Sequence, residues 1–253
     1  MFKTDQQPLQ LTHQDQVLPE TFSLLIWNVH KENLHLSFQN HLKYLAKKYA
    51  SDILMFQEYK LKKSVQDHTD YSYAMACNME TLRYLYGVFT ATKNHFKDVT
   101  CHTTQSQELF FITHKSLLIT QHLLSDGTPL TLVNIHAINF VRLRSFQKEL
   151  NIITEALAQI KGAMIVCGDF NSWSQKRMSA LQEAQQHLHL QQASLQQEHH
   201  VKQIFNKPID HLFYRGLILQ EAQVINTQKI SDHNPLWARF RVDASSKTLQ
   251  SKL

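Results

Sequence analysis

The stretch Met164–Trp173, MIVCGDFNSW, is an apolar run that stops on an acid and an amide one residue apart. Other apolar runs meet the same kinds of residue: Asn28 after FSLLIW, Glu58 after DILMFQ, His136 with Asn139 in VNIHAIN, Asp210 with His211, and Asp232 with His233. Read as strand ends, these positions gather carboxylates, amides and imidazoles, the groups that hold hard cations, bind phosphate oxygens and move protons. Strand ends of open α/β sheets converge on one edge, where ligands bind. Asp and Asn are also common turn residues that bond their own backbone, and for any single position that reading is equally good. Six such ends in one chain favour a shared site. Alternation along a strand would send Asp169 and Asn171 into one cleft and Phe170 the other way, into the core.

The elements that must position these residues can be read from periodicity. FSLLIWN and DILMFQE are short apolar runs suited to buried strands, and between them Leu42, Leu45 and Tyr49 recur at helical spacing, opposite Lys43, Lys47 and Lys48. TLRYLYGVFTAT, ELFFITHKS and SLLITQHLL are rich in strand-forming residues, and SDGTP marks a turn before LTLVNIHAINF. Leu150, Ile153, Leu157 and Ile160 predict a helix over 142–160 that leads into AMIVCGDFN. QKRMSALQEAQQHLHL reads as a further helix, QQASLQQEHHVK as a loop, and the remainder as three short strands. Strands outnumber what a simple βα alternation supplies, so two mixed sheets packed face to face with helices outside are expected.

The chain has 253 residues, 43% of them hydrophobic, enough for one sizeable core. A net charge of +5 favours anionic partners without requiring them. Cys77, Cys101 and Cys167 are far apart and form no C-x-x-C, which argues against a disulfide framework and a zinc site and fits a reducing compartment. The sixteen histidines include His187, His189, His199 and His200, but no zinc-binding spacing accompanies them. No run reaches the roughly 18 to 20 apolar residues that span a bilayer, so a cytoplasmic protein is expected.

The segments WNVHK, LMFQEY, NIHAINF, CGDFNSW, IDHLFY and SDHNPL occur in an order that resembles the endonuclease/exonuclease/phosphatase superfamily, over roughly residues 22 to 240. VNIHAINF, FYRGL and SDHNPL are most similar to its YafD-like bacterial branch. The resemblance implies a DNase I-like fold, a four-layer α/β sandwich of two mixed β-sheets flanked by helices. Residues 21–241 would form that domain; from composition alone, the polar, Gln-rich stretch 1–20 reads as a poorly ordered arm and 242–253 as a frayed tail. It implies a metal-dependent phosphoesterase that cleaves phosphodiester bonds, foremost in nucleic acid, by in-line attack of an activated water. A phosphorylated lipid or small metabolite is the alternative substrate, and an inactive binding module a further one.

By the same resemblance Glu58 is the main ligand of Mg²⁺ or Mn²⁺, Asn28 assists it, and Asp232 is a second acid near the metal or the water. Asp169 would orient or deprotonate the water, Asn171 would donate to the phosphate, and His233, fixed by Asp210, would face the phosphate as imidazolium. His136 is a candidate for phosphate binding or general acid work, with Asn139 as a substrate contact; from their own place at the start of the next helix, Arg142 and Arg144 could reach substrate phosphates or equally form an ordinary solvated helix start. The pattern departs from exonuclease III-like members at His30, where those carry Asp, and at His136, where they carry Tyr. His211 and the two tryptophans beside the motifs, Trp27 and Trp173, are expected to be structural.

Overall fold

The computed structural model describes residues 8–11, 17–64, 71–103, 116–139, 141–227 and 230–243. In chain order its strands begin with β1 (Leu9–Leu11), β2 (Thr21–Asn28), β3 (Ile53–Lys62), β4 (Ser72–Glu80) and β5 (Tyr84–Thr92). They continue with β6 (Asp98–Thr103), β7 (Ser116–Leu123), β8 (Pro129–His136), β9 (Ala163–Asp169) and β10 (Gln191–Gln192). The last are β11 (Gln203–Ile204), β12 (Lys207–Pro208), β13 (Asp210–Arg215), β14 (Leu217–Val224) and β15 (Leu236–Val242). The helices are α1 (Leu36–Lys48), α2 (Leu143–Ala158) and α3 (Gln175–His187).

One sheet runs β1-β4-β5-β3-β2-β15-β14 and the other β10-β13-β9-β8-β7-β6, while β11 and β12 form a separate hairpin. Each large sheet has one parallel pair, β2 with β3 and β8 with β9, flanked by antiparallel neighbours. Both pairs are the expected βαβ crossings, made through α1 and α2. Alternate residues of the central strands, among them Leu24, Ile26, Met55, Leu132, Ile165 and Phe240, fill the space between the sheets. The opposite faces are covered by helices: Phe38 and Leu45 of α1 pack with Leu25, Trp27 and Phe56, and Leu150, Leu157 and Leu181 of α2 and α3 with Val133 and Val166. The result is the expected four-layer α/β sandwich.

Several elements differ from the sequence reading. β4 and β6 were not expected from the sequence, and they extend the two sheets on one side. Part of the N-terminal stretch expected as an arm belongs to the fold: Leu9–Leu11 pairs with β4, and Leu18 is 1% exposed in the core. ELFFITHKS falls outside the described residues except for Ser116, as does the tail beyond Asp243.

A buried amide contact ties the sheets together. The pairing of β3 with β5 slips between Phe56 and Tyr59, a bulge that disrupts the ladder at Gln57 and Glu58. Asn134 of β8, in the facing sheet, fills the gap. Its Nδ2 donates to the carbonyls of Phe56 (3.3 Å) and Phe89 (3.0 Å), and its Oδ1 accepts from Gln57 Nε2 at 2.6 Å. Replacing Asn134 alone with an apolar residue would leave these groups buried and unpaired. Asn134→Leu is expected to lower stability by about 2 to 4 kcal/mol, read from urea unfolding. Adding Gln57→Leu should cost less than a second independent loss, and full additivity would show that the two amides act separately.

A second expectation concerns acid. His122 on β7 is completely buried against Phe96, its Nε2 3.0 Å from Thr120 Oγ1, and burial lowers its pKa to about 4. The folded protein holds this imidazole neutral, whereas the unfolded chain takes up its proton near pH 6.5. Its contribution is therefore complete above about pH 6.5 and lost as pH falls toward 4. In His122→Leu the fall of unfolding free energy between those pH values should be shallower than in wild type; an unchanged slope would refute the assignment.

Candidate active site

The catalytic candidates meet at the edge where β2, β8 and β9 end. Glu58, Asp210 and the pair Asp232 and His233 do not end strands, as the sequence reading had it: Glu58 lies within β3, which continues to Lys62, Asp210 opens β13, and the pair lies just before β15. The edge is still shared, because β13 runs antiparallel to β9 and β15 antiparallel to β2. Asp210 stands directly opposite Asp169 in the ladder, and His136 opposite Asp169 on the other side. Gly168 makes this close packing possible, since its φ is +128° and an added Cβ would lie 2.1 Å from the carbonyl oxygen of Ile135.

Asp169 is the hub. Its Oδ2 accepts from Asn28 Nδ2 at 3.0 Å and its Oδ1 from the Asn171 backbone N–H at 2.9 Å. His136 Nε2 lies 3.8 Å and His233 Nε2 3.9 Å from Oδ2. Burial and the neighbouring Asp210 raise the Asp169 pKa, opposed by His233, His136 and the Asn171 N–H. A carboxylate held in this way is a better proton acceptor than an exposed one.

His233 Nδ1 is 2.8 Å from Asp210 Oδ2, the pairing expected from the resemblance. Burial lowers the His233 pKa, but the charge and hydrogen bond of Asp210, with Asp169 and Asp232, outweigh it and bring it to about 9. The ring is therefore an imidazolium at neutral pH, with Nε2 turned toward Asp169. Its loop is held by two contacts that the sequence did not reveal. Trp27 Nε1 donates to the His233 carbonyl at 2.8 Å, and Ser231 Oγ donates to the Asn28 carbonyl at 2.8 Å. Trp27 is also stacked on Phe38, which makes it the expected packing residue and an anchor of the site as well.

Glu58 sits in the β3 bulge with φ +52°, its Oε1 3.7 Å from His136 Nε2 and its Oε2 3.2 Å from Lys31 Nζ. Asn28 Oδ1 accepts from the His30 N–H. Among the described residues, the acids and histidines whose ligand atoms lie within 4.8 Å of one another are Asp169, Asp210 and His233, a set that leaves out Glu58. Asp232 is also outside it: the side chain is 44% exposed and its Oδ2 lies 3.2 Å from Lys202 Nζ. Asn171 lies past the end of β9 with φ +48°, so strand alternation does not set its direction; its Nδ2 donates to the Ala137 carbonyl. Phe170 is buried as expected, packed edge-on to Phe213 and His211. His211 bonds Ser172 Oγ at 2.8 Å on the far side of the strand, a structural role.

Asn139 accepts from Trp173 Nε1 at 2.9 Å. Arg142 caps α2 and Arg144 follows within its first turn, both exposed. A further residue with no sequence signal is Arg177, buried in α3. Its guanidinium donates to the carbonyls of Ile138, Asn171 and Val141 and so joins the loop after β8 to the loop after β9.

Two carboxylates, an imidazolium and a second imidazole, converging where strands meet, are suited to moving a proton from water and holding an anionic centre. The chain is similar to known proteins in sequence and in fold. A UPF0294 protein of Vibrio campbellii is 31% identical over 236 residues, covering 91% of this chain and 82% of its own. An endonuclease/exonuclease/phosphatase family protein from Leptotrichia buccalis superposes with a TM-score of 0.66 at 17% identity, over 87% of this chain and 99% of that one. D. rerio TDP2 complexed with a single-strand DNA product superposes at 0.64 with 16% identity, over 88% and 99%. The model of the endonuclease/exonuclease/phosphatase family matches residues 25–233, a span that runs from the strand ending on Asn28 to His233, and the chain belongs to that family.

Proposed function

We propose that this protein hydrolyses phosphodiester bonds in nucleic acid, with Mg²⁺ or Mn²⁺ as cofactor. The observation that carries the reading is the buried group of Asp169, Asp210 and His233, with His136 beside it. Hard divalent cations prefer carboxylate and amide oxygens, and Glu58 with Asn28 offers both at the same edge. Bound there, a cation would neutralise phosphate charge and stabilise the leaving oxygen.

The chain's own residues divide the remaining work. Asp169 takes the proton of the attacking water, helped by a burial that raises its basicity. His233, kept protonated by Asp210, supplies positive charge to the phosphate oxygens as they gain charge. His136 approaches both Glu58 and Asp169 and is placed to bind a phosphate oxygen or protonate the leaving group. Asn171 spends one amide N–H on Ala137, which holds its side chain over the turn, and is a second donor to the phosphate. The net charge of +5, the exposed Arg142 and Arg144 and the DNA-bound structural neighbour support nucleic acid as the substrate.

Hydrolysis of bis-p-nitrophenyl phosphate, with and without Mg²⁺ or Mn²⁺, tests the reaction. Glu58→Ala should fold and lose metal-stimulated turnover, and unchanged activity at low Mg²⁺ would remove Glu58 from the site. His233→Ala is expected to lower the rate about 10² to 10⁴-fold. Asp210→Asn should lose a similar amount and add little in the double variant. Multiplied losses would mean that the pair does not act as a unit.

The substrate class has its own test. On a DNA or RNA oligonucleotide, kcat/KM should fall with log[KCl] with a slope of about two or more. Arg142→Ala with Arg144→Ala should flatten that slope while hydrolysis of bis-p-nitrophenyl phosphate persists. If no oligonucleotide is cut and a sugar or lipid phosphate is, the nucleic acid reading falls.

A further inference from the structure

The hairpin of β11 and β12 carries a residue that its local geometry does not favour. Ile204 pairs with Lys207, so Phe205 and Asn206 form a two-residue loop, and both have left-handed backbones, φ +49° and +58°. Such a loop suits Asn, Asp or Gly at both places, and Asn206 fits it. Phe205 does not: a bulky residue at positive φ is an outlier. Nor does burial compensate, because Phe205 is 79% exposed. A strained backbone that presents an aromatic ring to water points to something the ring meets outside the chain.

The hairpin is fastened to the catalytic edge. Ser172 Oγ donates to the Pro208 carbonyl at 2.8 Å, the Phe170 N–H donates to the Ile209 carbonyl at 2.8 Å, and the next residue is Asp210. At its other end Lys202 reaches Asp232. The Phe205 ring stands edge-on to Trp173, with centroids 5.9 Å apart. Trp173 is itself immobilised, its Nε1 bound to Asn139 and one ring face covered by the Arg177 guanidinium at 4.4 Å. Two rings, one fixed and one projecting, therefore stand two residues in sequence past Asn171 and five before Asp210, with Lys207 on the same hairpin and Lys202 just before it.

We propose that Phe205 and Trp173 form a stacking platform for a nucleobase next to the scissile phosphate. The inference rests on the nucleic acid reading above and deepens it, from phosphate recognition to recognition of the base. The flat apolar ring takes the π-face of any base, and the flanking lysines suit the adjacent phosphates. The platform would hold an unpaired base, since a base inside a duplex already has stacking partners on both faces.

The test measures binding apart from cleavage. A fluorescein-labelled single-stranded DNA oligonucleotide and one of equal length built from abasic tetrahydrofuran residues are titrated with protein in EDTA, and anisotropy is read. Wild type should bind the base-bearing strand about tenfold tighter. Phe205→Gly, which suits the left-handed turn and should keep or raise the unfolding midpoint, should lose that preference, and Phe205→Trp should keep it. Equal binding of the two strands by wild type, or a preference that survives in Phe205→Gly, would overturn the platform. So would a lowered unfolding midpoint with the preference intact, which would make Phe205 a packing residue. A preference that depends on Phe205 in a protein that cuts no phosphodiester would support the platform and remove the hydrolytic reading.

Discussion

The contact between Gln57 and Asn134 is the point on which the geometry of the catalytic edge depends. A bulge in β3 is needed to set Glu58 out of the regular pleat, and a bulge leaves ladder groups unsatisfied in the middle of a sandwich. The carboxamide of Asn134 satisfies two of the carbonyls from the opposite sheet. One side chain thus stabilises the irregularity and fixes the spacing between the sheet that carries Glu58 and the sheet that carries His136 and Asp169. Polar groups this deeply buried are stable only when paired, which makes the register of the two sheets specific as well as tight.

Around that bridge the site is assembled by direction of travel. The parallel pairs bring the ends of β2, β8 and β9 and the bulge of β3 near one edge, and the antiparallel β13 and β15 return to it with their beginnings. Acids meet in consequence. Asp169 and Asp210 face each other across the ladder, a repulsive arrangement that is relieved by His233 and His136 on either side. The price is a set of groups whose protonation states are mutually dependent, which is what acid–base work on a phosphate requires.

Much of this was legible in the sequence, because residue type and hydrophobic period are local properties. The strands ending at Asn28, His136 and Asp169, the three helices, and the identities of the acids and imidazoles could all be read from runs of about ten residues. What could not be read depends on partners far away in the chain. The pairing of Gln57 with Asn134 spans 77 residues, and nothing local distinguishes either from an ordinary polar residue. The direction of β13 and β15 reversed the expectation that Asp210 and His233 end strands, since an apolar run reads alike from either side. Asn171 was placed by alternation, but its left-handed backbone ends the pleat one residue too early for that rule. The hairpin tip at Phe205 escaped notice because it lacks the Asn-Gly or Asp-Gly pair that marks such turns. Leu9 and Leu18 sit in a polar stretch whose composition suggested disorder, yet a few apolar residues there suffice to close a sheet edge and a corner of the core.

The partnership of β2 with β15 has a consequence for the protein's synthesis. Trp27 and Ser23 lie near the beginning of the chain, while the His233 carbonyl and Arg239 that they meet lie more than 200 residues later. A ribosome builds the chain in order, so a nascent polypeptide that already contains Asn28, Glu58, His136 and Asp169 still has an unfilled slot in its first sheet. His233 reaches its place only when β15 has emerged and inserted between β2 and β14. The site is therefore complete only once residues 233–242 have been made, after every other residue that it brings together.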